Sequence, residues 1–340
     1  MNKVLIIAEA GVNHNGDIEI AKRLIVAAAD AKADFVKFQT FKADNLVSKT
    51  AKMASYQIKN LDNTEASQYN MLKKLEMPED WHVELKEYCK DKGIEFMSTG
   101  FDEESIDLLD RLGCSMFKIP SGEITNKPYL QHVAKKGKKI ILSTGMADME
   151  EIRQAITLIK SEGVTAGQIT VLHCNTEYPT PISDVNLLAM NAIKNELDIA
   201  IGYSDHTLGI EVPIAAVALG AEIIEKHFTL DRSMPGPDHK ASLEPDELAA
   251  MVKAIRNIEQ AISGTGLKTP SISETANKAI ARRSIHISND IGVGHVILKG
   301  DLKMQRPGDG ISPMLIDEVI GRSSNKALLK DYKLTFKDLD

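Results

Sequence analysis

The chain has 340 residues, enough for about two domains or for one large barrel with an appendage. Lys and Arg total 41 against 48 Asp and Glu, a net charge of −7, which argues against a bulk nucleic-acid binder, whose footprint would be basic. With 43% hydrophobic and 26% charged residues the composition is that of a packed globular protein and excludes disorder along the whole chain.

The chain opens on MNKVLIIAEAG. Glu9 cuts its apolar run after about five residues, too short for a signal-peptide core, so residues 4–8 read as a first strand. Residues 18–32 set Ile20, Leu24, Ala27 and Ala28 along one stripe and read as a helix. A second strand is expected over 35–40. The excursion over 41–94, polar across 55–67 and helical near 78–92, reads as a lid on an active face. Strands follow at 95–99, 116–120 and 139–144, then a helix at 149–160 with Ile152, Ile156 and Ile159 on one face. Further strands fall at 169–174, 199–203 and 223–228, and a helix at 244–262. Most of these strands are nearly continuous apolar runs, as strands buried on both faces should be.

Eight strands alternating with helices predict a (β/α)8 TIM barrel over residues 1–263. A doubly wound sheet is the alternative, disfavoured because no GxGxxG follows the first strand. GTGLKTPSISET, residues 264–275, spans at most about 40 Å when extended and marks a linker expected over 264–277. Residues 278–340 read as a small, mostly-β domain whose core is marginal alone. Cys89, Cys114 and Cys174 form no CxxC pair, so a reducing, cytoplasmic setting is expected in place of a disulfide framework. No segment approaches the ~20 apolar residues of a membrane span.

A barrel's active site lies at the C-terminal ends of its strands. Read in order, those ends carry Glu9, then Lys37 and Gln39, then Thr99, then Lys118 with Ser121 and Glu123, then Ser143. The last three carry Asn175, Thr176 and Tyr178, then Ser204 and His206, then Glu225, Lys226 and His227. Any one of these reads equally as a solvated rim. Polar groups converging from all eight strands do not, because burying each unpaired costs several kcal/mol.

The residue types also sort by chemistry. Lys37 and Lys118 sit inside apolar strands (FVKFQT and MFKIPS), and a buried lysine calls for an anion. With the hydroxyls of Thr99, Ser121, Ser143 and Ser204 they suit a phosphate carrying a carboxylate, the alternative being a Schiff-base lysine. His206 and His227 end neighbouring strands about 4.8 Å apart, where two imidazoles can meet one metal or form a hydrogen-bonded rim pair. A site so poor in nitrogen suits Mn²⁺ or Mg²⁺ at least as well as Zn²⁺. Glu9, Glu123 and Asp238 are candidate acid–base groups, Asp238 reading equally as a turn residue after Pro235-Gly236-Pro237. His173 in VLHC reads as a core histidine and His14 as a loop group.

The motifs AEAGVNHNG, VKFQTFKAD, FKIPSGEITN, ILSTGM, LHCNTEYPTP, GYSDHT, EKHFTLD and GPDHKAS together resemble the sialic acid synthases. These belong to the wider nonulosonic acid synthases, which condense phosphoenolpyruvate with an N-acetylated hexose. The resemblance runs in order along nearly the whole chain, and KMQRPGDGISP is similar to the RPGNG loop of that family's antifreeze-like (SAF) domain. It implies that C3 of phosphoenolpyruvate attacks the aldehyde of the open-chain sugar, that a cationic centre forms at C2, and that water adds there while phosphate leaves by C–O cleavage.

The resemblance further implies that Lys37, Thr99, Lys118, Ser121, Ser143 and Ser204 hold phosphoenolpyruvate, with Thr176 beside them where the family's polar residues vary in order. It implies a divalent metal (Mn²⁺, Mg²⁺ or Co²⁺) on His206 and His227, and Glu9 and Glu123 as catalytic carboxylates. Gln39, Tyr178 and Asp238 then meet the amino sugar, and Arg306 reaches its N-acetyl group from the small domain of a domain-swapped homodimer. Two departures stand out: Gly100 where relatives often have proline, and Asp309 in place of the loop's asparagine. The resulting expectation is an N-acetylneuraminate synthase acting on N-acetylmannosamine. The alternative is an N,N′-diacetyllegionaminate or pseudaminate synthase acting on a 2,4-diacetamido hexose. More distant rivals are a metal-dependent phosphosugar aldolase or isomerase and a non-catalytic sugar-binding protein. No nucleic-acid or membrane partner is expected.

Overall fold

In the computed structural model, which describes residues 3–54, 57, 58, 60 and 67–340, eight strands pair in parallel and in chain order into a closed barrel. They are β1 (Leu5–Gly11), β2 (Phe35–Thr40), β3 (Glu95–Gly100), β4 (Met116–Ile119), β5 (Lys139–Ser143), β6 (Ile169–Cys174), β7 (Ala200–Asp205) and β8 (Ile223–His227). The β1–β8 pairing that closes the barrel sets Glu9 opposite His227. Helix α1 (Ile18–Asp30) follows β1. The excursion between β2 and β3 holds α2 (Ala43–Leu46), α3 (Gln68–Leu75) and α4 (Glu79–Lys92). The polar stretch expected over 55–67 lies, apart from residues 57, 58, 60 and 67, outside the described residues. Helices α5 (Glu103–Arg111), α6 (Lys127–Ala134), α7 (Met149–Ser161), α8 (Leu188–Leu197), α9 (Glu211–Ala218) and α10 (Pro245–Ala261) follow β3 to β8 in turn.

Local chemistry sets these boundaries. The Asp148 carboxylate accepts from the Glu151 amide at 2.9 Å, and the Glu151 carboxylate accepts from the Asp148 amide at 3.0 Å, a reciprocal cap that starts α7. From there Ile152, Ala155, Ile156 and Ile159 fall on one buried stripe. Pro245 at the first turn and the paired Glu244 and Glu247 do the same for α10, while Gly93, at φ +72°, ends α4.

Alternation along the strands produces two cores. One set of side chains packs outward against the helices, among them Ile6, Val36, Phe117, Leu142, Val171 and Ile224. The opposite set fills the barrel interior with Ile7, Phe35, Met97, Met116, Ile141, Leu172 and Ile223. The interior place on β7 is Gly202, where a Cβ would lie 2.4 Å from the Ile223 carbonyl oxygen and 2.6 Å from Leu172 Cδ2. The barrel closes at that level only because the residue has no side chain.

The chain divides at Gly264/Thr265, and the second unit runs to Asp340. It holds α11 (Ile272–Ala281) and an antiparallel pair, β9 (Ser284–Ile287) with β10 (Leu302–Gln305). Ile285, Ile287, Ile297, Ile311, Val319, Leu328 and Leu334 belong to a core of its own. The stretch expected to be an irregular linker over 264–277 therefore runs into a helix. Ser271 and Glu274 cap each other reciprocally across S-x-x-E, a start signal that the local Ser, Thr and Pro content obscured.

Candidate active site

Two residues beyond each plug residue, the same interior face changes character. Ile7 leads to Glu9, Phe35 to Lys37, Met97 to Thr99, Met116 to Lys118, Ile141 to Ser143, Leu172 to Cys174, Gly202 to Ser204 and Ile223 to Glu225. All eight line one cavity of about 650 Å³. One further step along the strands brings Gln39, Thr176, His206 and His227 to its wall, and the loops add Ser121, Tyr178 and Asp238.

The floor is a closed set of buried charges. Lys37 Nζ lies 2.6 Å from Glu9 Oε2 and 3.6 Å from Glu225 Oε1, and donates to Thr99 Oγ1 at 2.7 Å. Lys118 Nζ donates to both oxygens of Glu225, at 2.8 and 2.9 Å, and Ser204 donates to the same carboxylate at 3.1 Å. The lysines expected to await an anion thus already face carboxylates. Burial would lift the Glu225 carboxyl, but Lys118 and then Lys37 outweigh it and hold it well below the usual carboxylate range. Glu9, with a weaker share of the positive charge, is pushed up by burial to about 7. Burial works against the charge of both lysines. Lys37, facing Glu225 and Glu9, is nonetheless raised, while Lys118, leaning on Glu225 and repelled by Lys37, is lowered.

Above the floor, the Tyr178 ring stacks near His206, with centroids 4.1 Å apart, and meets His227 edge-on at 5.7 Å. The two imidazoles are 5.5 Å apart. Burial lowers both, His206 to about 4, so both are neutral at pH 7. The His206 Nδ1 hydrogen is spent on the Asn175 carbonyl, which leaves the Nε2 lone pair free, and the buried His227 Nδ1 has no partner. Two neutral imidazoles with unspent nitrogens fit a divalent transition cation that keeps open positions. No group of three or more His, Cys, Asp and Glu side chains among the described residues offers a fuller ligand set. Burial raises Asp238 to about 6. Ser121 Oγ accepts from the Gly145 amide at 2.9 Å, and a Cβ on Gly145 would lie 2.5 Å from the Thr176 methyl.

Residues 24–267 match the NeuB family and residues 282–340 match the SAF domain. The chain belongs to the NeuB family. It is 53% identical over 331 residues to the N,N′-diacetyllegionaminic acid synthase of Campylobacter jejuni, covering 97% of this chain and 98% of that protein. It is 52% identical over 318 residues to the protein of the same name from Legionella pneumophila, covering 93% and 89%. Among solved structures, an N-acetylneuraminic acid (sialic acid) synthetase of Leptospira borgpetersenii superposes with a TM-score of 0.72 at 38% identity, covering 81% of this chain and 90% of that one. The chain is therefore an enzyme of the nonulosonic acid synthases, with a barrel and a SAF domain.

In this NeuB-family enzyme the cavity gathers thirteen of the site residues expected from sequence: Glu9, Lys37, Gln39, Thr99, Lys118, Ser121, Ser143, Thr176, Tyr178, Ser204, His206, His227 and Asp238. Glu123 is not among its lining. It accepts from Asn126 Nδ2 at 2.6 Å and lines a separate hollow with Asn45, Asp102 and Tyr129. Arg306 belongs to the second unit, where it is exposed. Asp309, which stands in place of the loop's asparagine, is engaged 2.7 Å from Lys333 Nζ. His173 is paired with the Val185 carbonyl, as a core histidine should be. Gly100, in β3, packs so closely on Ile106 that a Cβ would lie 2.8 Å from its Cδ1. Glu225 was visible at a strand end but drew no role. Its signal is the two-residue step from Ile223 to Glu225 to His227, which puts it on the interior face.

Proposed function

We propose that this enzyme condenses phosphoenolpyruvate with a 2,4-diacetamido hexose, giving an N,N′-diacetyllegionaminate-type product and phosphate. The expectation of an N-acetylneuraminate synthase gives way to its stated alternative. The observation that carries this is the identity of 53% and 52% to two N,N′-diacetyllegionaminic acid synthases over nearly their whole length, against 38% to a sialic acid synthetase.

The floor supports phosphoenolpyruvate as one substrate. Lys37 and Lys118, with Thr99, Ser143 and Ser204, offer cationic and hydroxyl donors to a phosphate and a carboxylate. The incoming anion takes the place of Glu9 beside the lysines, while Glu225 stays bound to Lys118 and Ser204. Tyr178, Gln39 and Asp238 form the wall that faces the sugar. His206 and His227 would hold a divalent metal, which when bound supplies Lewis-acid polarisation of the aldehyde oxygen. Glu9, whose carboxyl titrates near 7, is suited to give a proton from its Oε1 to the aldehyde oxygen and to take one later from the water that adds at C2. Arg306 and the homodimer belong to the same reading. The SAF unit carries Arg306 exposed, available to complete a partner's site and meet an acyl group.

The test offers purified enzyme, phosphoenolpyruvate and Mn²⁺ with 2-acetamido and 2,4-diacetamido hexoses in parallel, reading phosphate release and product mass. The diacetamido sugar is expected to give the higher kcat/KM. A clear preference for N-acetylmannosamine would overturn the reading and restore N-acetylneuraminate synthase.

A further inference from the structure

Behind the two histidines, on the barrel face away from the cavity, β7 and β8 share an ion pair with no solvent exposure on either side. Lys226 Nζ lies 2.5 Å from Asp205 Oδ2. Lys226 also donates to the Thr207 carbonyl, and Asp205 accepts from the Thr207 amide at 3.1 Å and from its hydroxyl at 3.0 Å. The side chain of Lys226 is therefore tied to the residue before His206 and to the residue after it. The next residue after Lys226 is His227.

The placement in the ladder sharpens the point. Asp205 opposite Lys226 is the last register pair between β7 and β8. His206 lies beyond that rung, where no further β7–β8 pairing holds it. Its carbonyl accepts from Thr180, which ties it to the β6 loop but not to β8. A slip of one residue in either strand would turn that strand's imidazole out of the cavity, because side chains alternate between faces. A buried ion pair adds little to stability that two apolar side chains would not, and its best-attested use is to fix register.

We propose that Lys226, acting through Asp205 and Thr207, is a positioning residue that sets the spacing of His206 and His227 and so the affinity of that pair for a divalent cation. This rests on the metal reading above. It concerns residues that touch neither substrate nor metal.

The experiment measures Mn²⁺ binding to metal-free protein by calorimetry, alongside thermal unfolding without metal. The Asp205→Leu/Lys226→Met double variant removes both charges and keeps apolar volume. It is expected to unfold close to the parent yet to bind Mn²⁺ about tenfold or more weakly, the range seen when groups behind metal ligands are lost. Lys226→Met alone keeps both Asp205 contacts to Thr207 while removing the tie to β8, and carries the same test should the double variant not fold. Weaker Mn²⁺ binding by folded variant protein supports the proposal. Unchanged Mn²⁺ affinity, with or without a lowered melting temperature, overturns it and leaves the metal reading intact. A parent protein that binds no Mn²⁺ overturns both.

Discussion

Asp238 should make the protein less stable as the pH rises, and its replacement by asparagine should remove that dependence. Burial raises its carboxyl from the ordinary 3.8 to about 6. A carboxyl with a higher pKa folded than unfolded binds its proton more tightly in the native state. Its contribution is thus whole below about pH 4 and is lost as the pH climbs through about 6. At about 1.4 kcal/mol per pKa unit the loss at pH 8 amounts to about 3 kcal/mol. Asparagine has nearly the shape of the protonated acid and never ionises. Asp238→Asn should therefore match the parent at pH 4 and exceed it by about 3 kcal/mol at pH 8, or roughly 6–12 °C in melting temperature for a domain of this size. Urea unfolding of both proteins at a series of pH values reads this directly. Turnover should fall in the same variant, since the carboxylate lines the cavity and stability gained at such a position is commonly paired with lost activity. A stability difference that stays constant from pH 4 to pH 8 would refute the reasoning, whatever its sign.

Stripping the enzyme with a chelator should abolish turnover and Mn²⁺, Mg²⁺ or Co²⁺ should restore it, with His206→Ala or His227→Ala each costing ~10²-fold in kcat/KM. Full turnover by exhaustively chelated enzyme would remove the metal from the reading. Lys118→Ala leaves Glu225 buried without its bidentate partner and should destabilise the fold by ~3–5 kcal/mol in urea melts while raising the KM for phosphoenolpyruvate. Borohydride reduction during turnover should leave Lys37 and Lys118 unmodified, and a covalent adduct on either by mass spectrometry would show imine chemistry in place of an anion clamp. Mixing inactive Arg306→Ala with inactive His206→Ala subunits should return part of the activity if Arg306 serves a partner's site; confirmed subunit exchange without activity would put Arg306 in cis or out of the reaction.

The barrel was legible because its strands are apolar on both faces and end at polar residues, so the strand count and the site emerged together. Strand limits drifted where the apolar run stopped before the hydrogen bonding did. β1 continues to Gly11, through Glu9, because the polar residues there point into the cavity and still pair with β2 and β8. The α11 helix was hidden by composition, although Ser271 and Glu274 carried its start signal. Lys37 and Lys118 were found as isolated cations, but their partners were not, since Glu9 meets Lys37 only once β1 pairs with β2, and Glu225 meets Lys118 across the barrel from 107 residues away. Glu123 illustrates the opposite limit. A motif places it one turn beyond β4, and only the fold shows its side chain turned to Asn126 and away from the cavity lining.

The charge floor also explains how an apolar barrel tolerates a site for a highly charged substrate. Two lysines buried alone would lose their protons to desolvation. Glu9 and Glu225 keep them paired before substrate arrives, so the floor is close to neutral. An anion that enters must then compete with carboxylates already in place. Glu225, held by both oxygens and by Ser204, is hard to displace, whereas Glu9 accepts from Gln39 only at 3.5 Å and titrates near 7. Protonation of Glu9 is the least costly way for the floor to free positive charge for an incoming phosphate or carboxylate. The same proton is then in place beside the reacting carbons. On this argument the asymmetry between the two glutamates, one fixed as an anion and one poised to titrate, joins substrate binding to acid–base chemistry in a single buried layer.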